Sequence, residues 1–205
     1  MILTFVEGPI ENNNYLVFDE KTHNAFLVDC TCQSDVIDKA IDENSLNLKY
    51  ILLTHGHFDH VLGVNYYREK YRAKSFMHKD DMIIAQTVKE YLKQFGQSGE
   101  FENPIIDNYF DDEFDFDGEK IKVLHTPGHT QGSVCLLYKD ILFSGDTLFF
   151  ESCGRTDLPT GSFENIKKSI NELFKLDDDI IVLSGHGAKT SIGHEKKYNT
   201  IVRGF

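Results

Sequence analysis

The sequence lacks the features of membrane-spanning and exported proteins. No apolar run approaches the roughly 18–20 residues that a transmembrane helix needs. The first segment, Met1–Glu7, has no basic stretch and reaches an acid at once, so it predicts a strand and not a signal peptide. We therefore expect a cytoplasmic protein with no membrane partner.

Cysteine is scarce. The chain has 205 residues and four cysteines, and none forms a Cys-x-x-Cys pair. A reduced compartment fits this usage, because small secreted domains depend on disulfides. Cys30 and Cys32 follow an apolar segment, where we expect buried or idle thiols. Nothing near Cys153 in the sequence marks an activated thiolate.

Positive charge is in deficit. The chain has 21 Lys and Arg against 33 Asp and Glu, which gives a net charge of −12 with histidine neutral. Such a surface repels phosphate backbones, so nucleic acid is not an expected partner. Hydrophobic residues at 40% and charged residues at 26% are typical of a folded globular protein. Nine histidines are the unusual part of this composition.

Apolar strands and amphipathic helices occur in both halves of the chain. Strands are predicted at Tyr15–Phe18, Ala25–Asp29, Tyr50–Thr54, Lys120–Leu124, Ser133–Tyr138, Asp140–Ser144 and Ile180–Ser184. Helices are predicted to begin after the caps Ser34 and Ser162. This order predicts an α/β protein with two sheets and helices outside them. No linker, repeat or low-complexity segment interrupts the chain, so one domain over 1–205 is expected.

The segment 79–103 has helical spacing followed by the flexible stretch Gly96–Gly99. Two interpretations stay open for it. One is a surface helix with its loop, and the other is a mobile lid beside a site.

The segment after the predicted strand Tyr50–Thr54 is rich in side chains that can bind a metal. It contains His55, His57, Asp59 and His60, with Gly56 between the first two histidines. These side chains are poor choices for packing, but neutral imidazole and carboxylate are common ligands of zinc and iron. Gly56 allows a tight turn, so alternate side chains can point into one pocket. The motif therefore predicts a metal site.

Three later strands end in the same way, with a glycine and a His or Asp. The loops concerned carry His129, Asp146 and His186. Ligands at the ends of adjacent strands commonly converge on one cleft of a layered α/β protein. We therefore expect these residues to share one site with the first motif.

The set formed by the His-x-His-x-Asp-His motif at 55–60, His129, Asp146 and His186 resembles the metallo-β-lactamase fold superfamily over nearly the whole chain. The segments 145–149, 154–157 and 185–193 are similar to the glyoxalase II (hydroxyacylglutathione hydrolase) branch. The short single-domain members match best, since longer members add a C-terminal helical region. The resemblance implies a four-layer αββα sandwich.

The resemblance also implies a site for two divalent metal ions, zinc first, with iron or manganese as alternatives. The first metal would be held by His55, His57 and His129, the second by Asp59, His60 and His186, and Asp146 would bridge both. Zinc lowers the pKa of its bound water to about 7. We therefore expect a metal-bridging hydroxide to cleave a thioester such as S-lactoylglutathione. Asp59 would orient this nucleophile, and no Ser or Cys nucleophile is needed.

Other residues carry two interpretations each. Arg155 is the candidate for binding a substrate carboxylate, with an ion pair to Asp157 as the alternative. His125 either supports a metal ligand or packs. His78 either lines the substrate mouth or lies on the surface.

The alternative function is a mononuclear iron persulfide dioxygenase, whose metal would use His57 (or His55), His129 and Asp146. The tail at 185–193 favours the hydrolase. A metal-bound binding module is less expected, because all seven ligands are present. A class B β-lactamase is disfavoured by the missing secretion signal, and a ribonuclease by the acidity. The sequence indicates nothing about oligomeric state.

Overall fold

Two six-stranded sheets organise the chain, which is described here from a computed structural model over residues 1–94, 96–97 and 100–201. The first unit consists of Met1–Met77 and Met82–Tyr109. The second consists of His78–Asp81 and the chain from Phe110 onward. This content of sheets and helices confirms the predicted α/β class, whereas one domain over 1–205 stays a prediction.

The first unit contains a mixed sheet. Its strands, in spatial order, are β1 (Ile2–Glu7), β2 (Asn12–Phe18), β3 (Asn24–Val28), β4 (Asn47–Leu52), β5 (Lys74–Met77) and β6 (Asn108–Tyr109). The strands β1, β2 and β3 pair antiparallel, and β2 and β3 contain the predicted strand segments Tyr15–Phe18 and Ala25–Asp29 up to Val28. The strands from β3 to β6 pair parallel, so each connection has to cross over the sheet.

Helices supply several of these crossovers. They are α1 (Asp35–Glu43), α2 (Phe58–Val61), α3 (Val64–Tyr71), α4 (Met82–Ala85) and α5 (Val88–Gln94). As predicted, Ser34 caps α1, and its Oγ accepts a hydrogen bond from the Ile37 backbone N–H at 3.4 Å. Ile37 and Ile41 are buried on the inner face of this helix, in the core of the unit.

The segment 79–103 is not one helix. It contains a 3₁₀ turn at Lys79–Asp81 and then the two short helices α4 and α5. The Thr87 hydroxyl donates a hydrogen bond to the Ile84 carbonyl at 2.8 Å, and such a local bond competes with helix continuation. Phe95, Ser98 and Gly99 lie outside the described residues, and a role as a lid stays a prediction.

The second unit repeats the architecture. Its sheet contains β7 (Glu113–Phe116), β8 (Glu119–His125), β9 (Val134–Tyr138), β10 (Ile141–Gly145), β13 (Ile181–Ser184) and β14 (Thr190–Ser191), in the spatial order β14-β13-β10-β9-β8-β7. A separate ribbon pairs β11 (Leu148–Phe149) with β12 (Ser152–Cys153). The helices are α6 (Phe163–Leu173) and α7 (Ile192–Tyr198). Ser162 caps α6 as predicted, since its Oγ accepts from the Asn165 backbone N–H at 3.3 Å.

The fold places every motif histidine and aspartate in the segment that follows a strand. The first cluster follows β4, and His129, Asp146 and His186 follow β8, β10 and β13. Among the described residues, no helix combines the length and the hydropathy that crossing a membrane requires.

Candidate metal centre

The side chains of the first motif form one cluster in the first unit. The ring centroid of His55 lies 4.9 Å from that of His57 and 4.0 Å from that of His60. Oδ2 of Asp59 lies 3.5 Å from Nε2 of His60. The turn from β4 into α2 therefore brings together the four residues that the motif predicts.

A buried carboxylate orients His60 within this cluster. Oδ2 of Asp29 lies 2.8 Å from Nδ1 of His60, and both side chains are buried. The same carboxylate accepts hydrogen bonds from the Thr54 backbone N–H and hydroxyl, each at 2.8 Å. An ionised carboxylate only accepts, so Nδ1 of His60 is the donor and Nε2 carries the lone pair.

This tautomer leaves His60 able to bind a metal through Nε2. Its Nε2 lone pair faces Oδ2 of Asp59 across 3.5 Å, and both atoms are acceptors. A cation between them removes the repulsion of two facing lone pairs. Histidine ligands of metals commonly donate their other ring N–H to a carboxylate, as His60 does to Asp29. The cluster therefore fits a divalent metal.

A second cluster lies in the second unit. Oδ2 of Asp146 is 3.5 Å from Nε2 of His129 and 3.7 Å from Nε2 of His186. Asp146 and His129 are buried, and His186 is partly exposed. One carboxylate oxygen thus faces two imidazole nitrogens, which is the donor chemistry of a zinc, iron or manganese site.

The backbone after β12 orients His129. The carbonyl oxygen of Arg155 accepts a hydrogen bond from Nδ1 of His129 at 2.7 Å, which leaves the lone pair on Nε2, the atom that faces Asp146. Gly154 allows the backbone to pass close to Asp146 before it reaches His129. A Cβ at position 154 would lie only 1.9 Å from the Asp146 carbonyl oxygen. The tight passage at 154–155 therefore positions a predicted ligand.

A second buried carboxylate fixes the loop that carries His129. Asp81 accepts hydrogen bonds from the Gly132 backbone N–H at 2.7 Å and from the Thr130 hydroxyl at 2.8 Å. Its side chain is fully buried. Neither Asp81 nor Asp29 was marked by the sequence as part of a site. The only sequence signal for these residues is position: Asp29 follows an apolar strand, and Asp81 lies in a polar segment after another strand.

Arg155 forms an ion pair with Asp157, as the alternative interpretation of this residue predicts. Its Nε and Nη2 lie 2.7 Å from the two carboxylate oxygens of Asp157. This guanidinium holds the pKa of Asp157 near 2, below its ordinary range. Both side chains are exposed, so the arginine is accessible to a substrate. Substrate binding by Arg155 stays a prediction.

The cysteines fit the expectation of idle thiols. All four are free, and Cys30 and Cys135 are buried. Burial raises the pKa of Cys135 to about 11 and also raises the pKa of Cys30, Cys32 and Cys153. The thiols are therefore protonated at neutral pH and are poor nucleophiles.

Known proteins resemble this chain in sequence and in fold. The family described as the metallo-beta-lactamase superfamily matches residues 8–186. Hydroxyacylglutathione hydrolase GloC of Haemophilus influenzae is 34% identical over 196 residues, which cover 92% of each chain. The crystal structure of BLEG-1 B3 metallo-beta-lactamase superposes with a TM-score of 0.87 at 29% identity, and all of both chains is covered.

A second solved structure is that of TTHA1623 in a di-iron-bound form. It has a TM-score of 0.86 and 29% identity, and the match covers 97% of this chain and 98% of that one. These similarities confirm the predicted fold and the resemblance found in the motifs. The chain belongs to the metallo-beta-lactamase superfamily.

Proposed function

We propose that this protein is a metal-dependent hydrolase of small thioesters, with S-lactoylglutathione in its substrate class. The observation that carries the proposal is the position of one Asp146 oxygen near Nε2 of both His129 and His186. Support comes from relatives whose names state hydrolase activity. They are the hydroxyacylglutathione hydrolase GloC and the probable metallo-hydrolase YqgX of Bacillus subtilis, which is 32% identical to this chain.

Seven residues are proposed as ligands of two divalent metal ions. The assignment is His55, His57 and His129 for the first ion, Asp59, His60 and His186 for the second, and Asp146 for both. Zinc is the first choice, with iron and manganese as alternatives, and the di-iron form of TTHA1623 supports a pair of ions. When bound, the metals supply a hydroxide at neutral pH and stabilise negative charge on the substrate carbonyl oxygen.

The chain's own residues orient these groups. Asp59 would accept a hydrogen bond from the nucleophile and orient it. Asp29 and the Arg155 carbonyl hold His60 and His129 in the tautomers that ligate through Nε2. The Arg155 guanidinium exchanges Asp157 for a substrate carboxylate, which it can bind through two parallel hydrogen bonds.

The test combines metal analysis with an assay of S-lactoylglutathione hydrolysis. We expect two metal ions per chain, turnover that a chelator abolishes and added metal restores, and joint loss of metal and turnover in His57→Ala. The exposed residue His23 offers a matched control, and His23→Asn should behave as wild type.

Other results would replace the proposal. One iron per chain, with oxygen consumed in the presence of glutathione persulfide, would establish a persulfide dioxygenase. Hydrolysis of a chromogenic cephalosporin but not of the thioester would establish a β-lactamase, a second candidate that the full-length likeness to BLEG-1 favours. A fully metallated protein with none of these activities would be a binding module.

A further inference from the structure

A third group of ligating side chains lies in the second unit and uses none of the seven proposed ligands. It consists of His78 and Asp80, on either side of Lys79, and of His125 at the end of β8. One nitrogen of each ring and one carboxylate oxygen lie within 4.8 Å of one another. The two imidazole rings stack, with centroids 4.3 Å apart and planes 10° from parallel.

Hydrogen bonds determine where each ring carries its lone pair. Nε2 of His125 lies 2.9 Å from the Gln131 carbonyl oxygen and must be the donor, so the neutral ring has its lone pair on Nδ1. Nδ1 of His78 accepts from the Asp80 backbone N–H at 3.3 Å, and it lies 3.8 Å from Oδ2 of Asp80. The lone pair of His78 is therefore on the side of the Asp80 carboxylate.

We propose that His78, Asp80 and His125 bind one divalent transition-metal ion of the zinc class, with water completing its coordination. Two imidazoles and a carboxylate are a donor set that zinc takes in proteins. At zinc distances of about 2.0–2.1 Å, tetrahedral ligand atoms lie roughly 3.3 Å apart, so the group has to contract on binding. Asp80 and His125 are exposed and His78 is half-buried, so the rings can turn out of the stack toward a shared ion.

The surrounding scaffold holds the two ligand-bearing segments together. The Gln131 side-chain amide donates to the Asp80 carbonyl at 2.7 Å, and Asp81 accepts from the Gly132 backbone N–H. A bound ion therefore adds a link between the turn at 78–81 and the loop that carries His129. The proposal does not depend on the proposed function, because this ion would bind whether or not the protein hydrolyses thioesters.

Calorimetric titration with Zn²⁺ tests the site in protein whose resident metal has first been loaded and counted. Wild type should bind one further Zn²⁺ per chain. The variants His125→Gln and Asp80→Asn should bind this ion more weakly, by about 10-fold or more. His23→Asn, which removes an exposed imidazole elsewhere, should titrate like wild type.

Nitrogen NMR of the imidazole rings locates the ion independently of the stoichiometry. The Nδ1 resonances of His78 and His125 should shift on addition of one further equivalent of Zn²⁺, and those of His23 should not. The proposal is overturned if wild type takes up no additional Zn²⁺. It is also overturned if His78→Gln and His125→Gln keep the wild-type affinity.

Discussion

Oδ2 of Asp29 lies 2.8 Å from Nδ1 of His60, and the parallel pairing of β3 with β4 brings the two residues together over 31 positions of sequence. Asp29 follows β3, and His60 lies in α2, after the turn that follows the neighbouring strand β4. This pair links the fold to the chemistry, because it fixes the tautomer of a proposed metal ligand.

Replacing Asp29 should weaken metal binding without removing any ligand. In Asp29→Asn the amide no longer provides a charged acceptor for His60, so the affinity for the metals should fall by about 10–100-fold. Competition with a calibrated chelator measures the change. Asp179→Asn, at an exposed acid, is the matched control. Equal metal affinity in Asp29→Asn and wild type would show that the carboxylate has no orienting role.

Asp81 should stabilise the loop that carries His129. Asp81→Ala leaves the buried Gly132 N–H and Thr130 hydroxyl without their carboxylate acceptor, so the free energy of unfolding should fall by about 1–3 kcal/mol. Urea unfolding of metal-free protein measures this, with Asp179→Ala as the control. Hydrogen exchange should also increase in the loop. Unchanged exchange there would contradict the role assigned to Asp81.

The ion pair of Arg68 with Asp107 predicts a pH dependence of stability. Nε and Nη2 of the arginine lie 2.8 Å and 2.5 Å from the carboxylate oxygens, and these hydrogen bonds hold the pKa of Asp107 well below its ordinary range. A carboxyl with a lowered folded-state pKa stabilises the protein above its unfolded pKa of about 3.9 and loses this contribution as pH falls toward the folded value.

The matching variant is Asp107→Asn. Wild type should unfold at higher urea concentration than this variant at pH 7, and the difference should shrink as the pH falls below about 4. Both side chains are partly buried, so solvent screening reduces the effect without removing it. A difference between the two proteins that does not change between pH 7 and pH 3 would contradict the assignment.

Arg155 should affect substrate binding more than turnover. In Arg155→Ala the Michaelis constant for S-lactoylglutathione should rise by about 10-fold while kcat stays close to wild type. An arginine that binds the substrate carboxylate, away from the reacting bond, stabilises the bound substrate and the transition state equally. Asp157→Asn removes the competing carboxylate and should lower the Michaelis constant. If neither variant changes the Michaelis constant, the Arg155–Asp157 pair is structural only.

Much of the fold could be predicted because its signals are local. Ser34 and Ser162 precede amphipathic runs and cap α1 and α6, and the long apolar segments became strands. The strands β6, β11, β12 and β14 have two residues each, too few to show a periodic pattern. The break after α4 depends on a side-chain bond of Thr87 that hydrophobic spacing does not reveal.

The site was predictable only as far as its motif. His55, His57, Asp59 and His60 lie within six residues of sequence and lie close together in the first unit. The orienting partner of His60, Asp29, comes from distant sequence, so no spacing rule connects the two residues. His129 is held by the backbone carbonyl of Arg155, an atom that every residue possesses and that no sequence pattern distinguishes.

The two clusters of motif residues are proposed to ligate a pair of metal ions. Anomalous diffraction from crystals of metal-loaded protein, recorded on either side of the zinc and iron absorption edges, would show whether both ions are present. We expect two anomalous peaks per chain, each about 2.0–2.2 Å from its proposed His and Asp ligand atoms, with Asp146 contacting both. One peak held by His129, Asp146 and a single motif histidine, or no peak at these residues, would contradict a binuclear site.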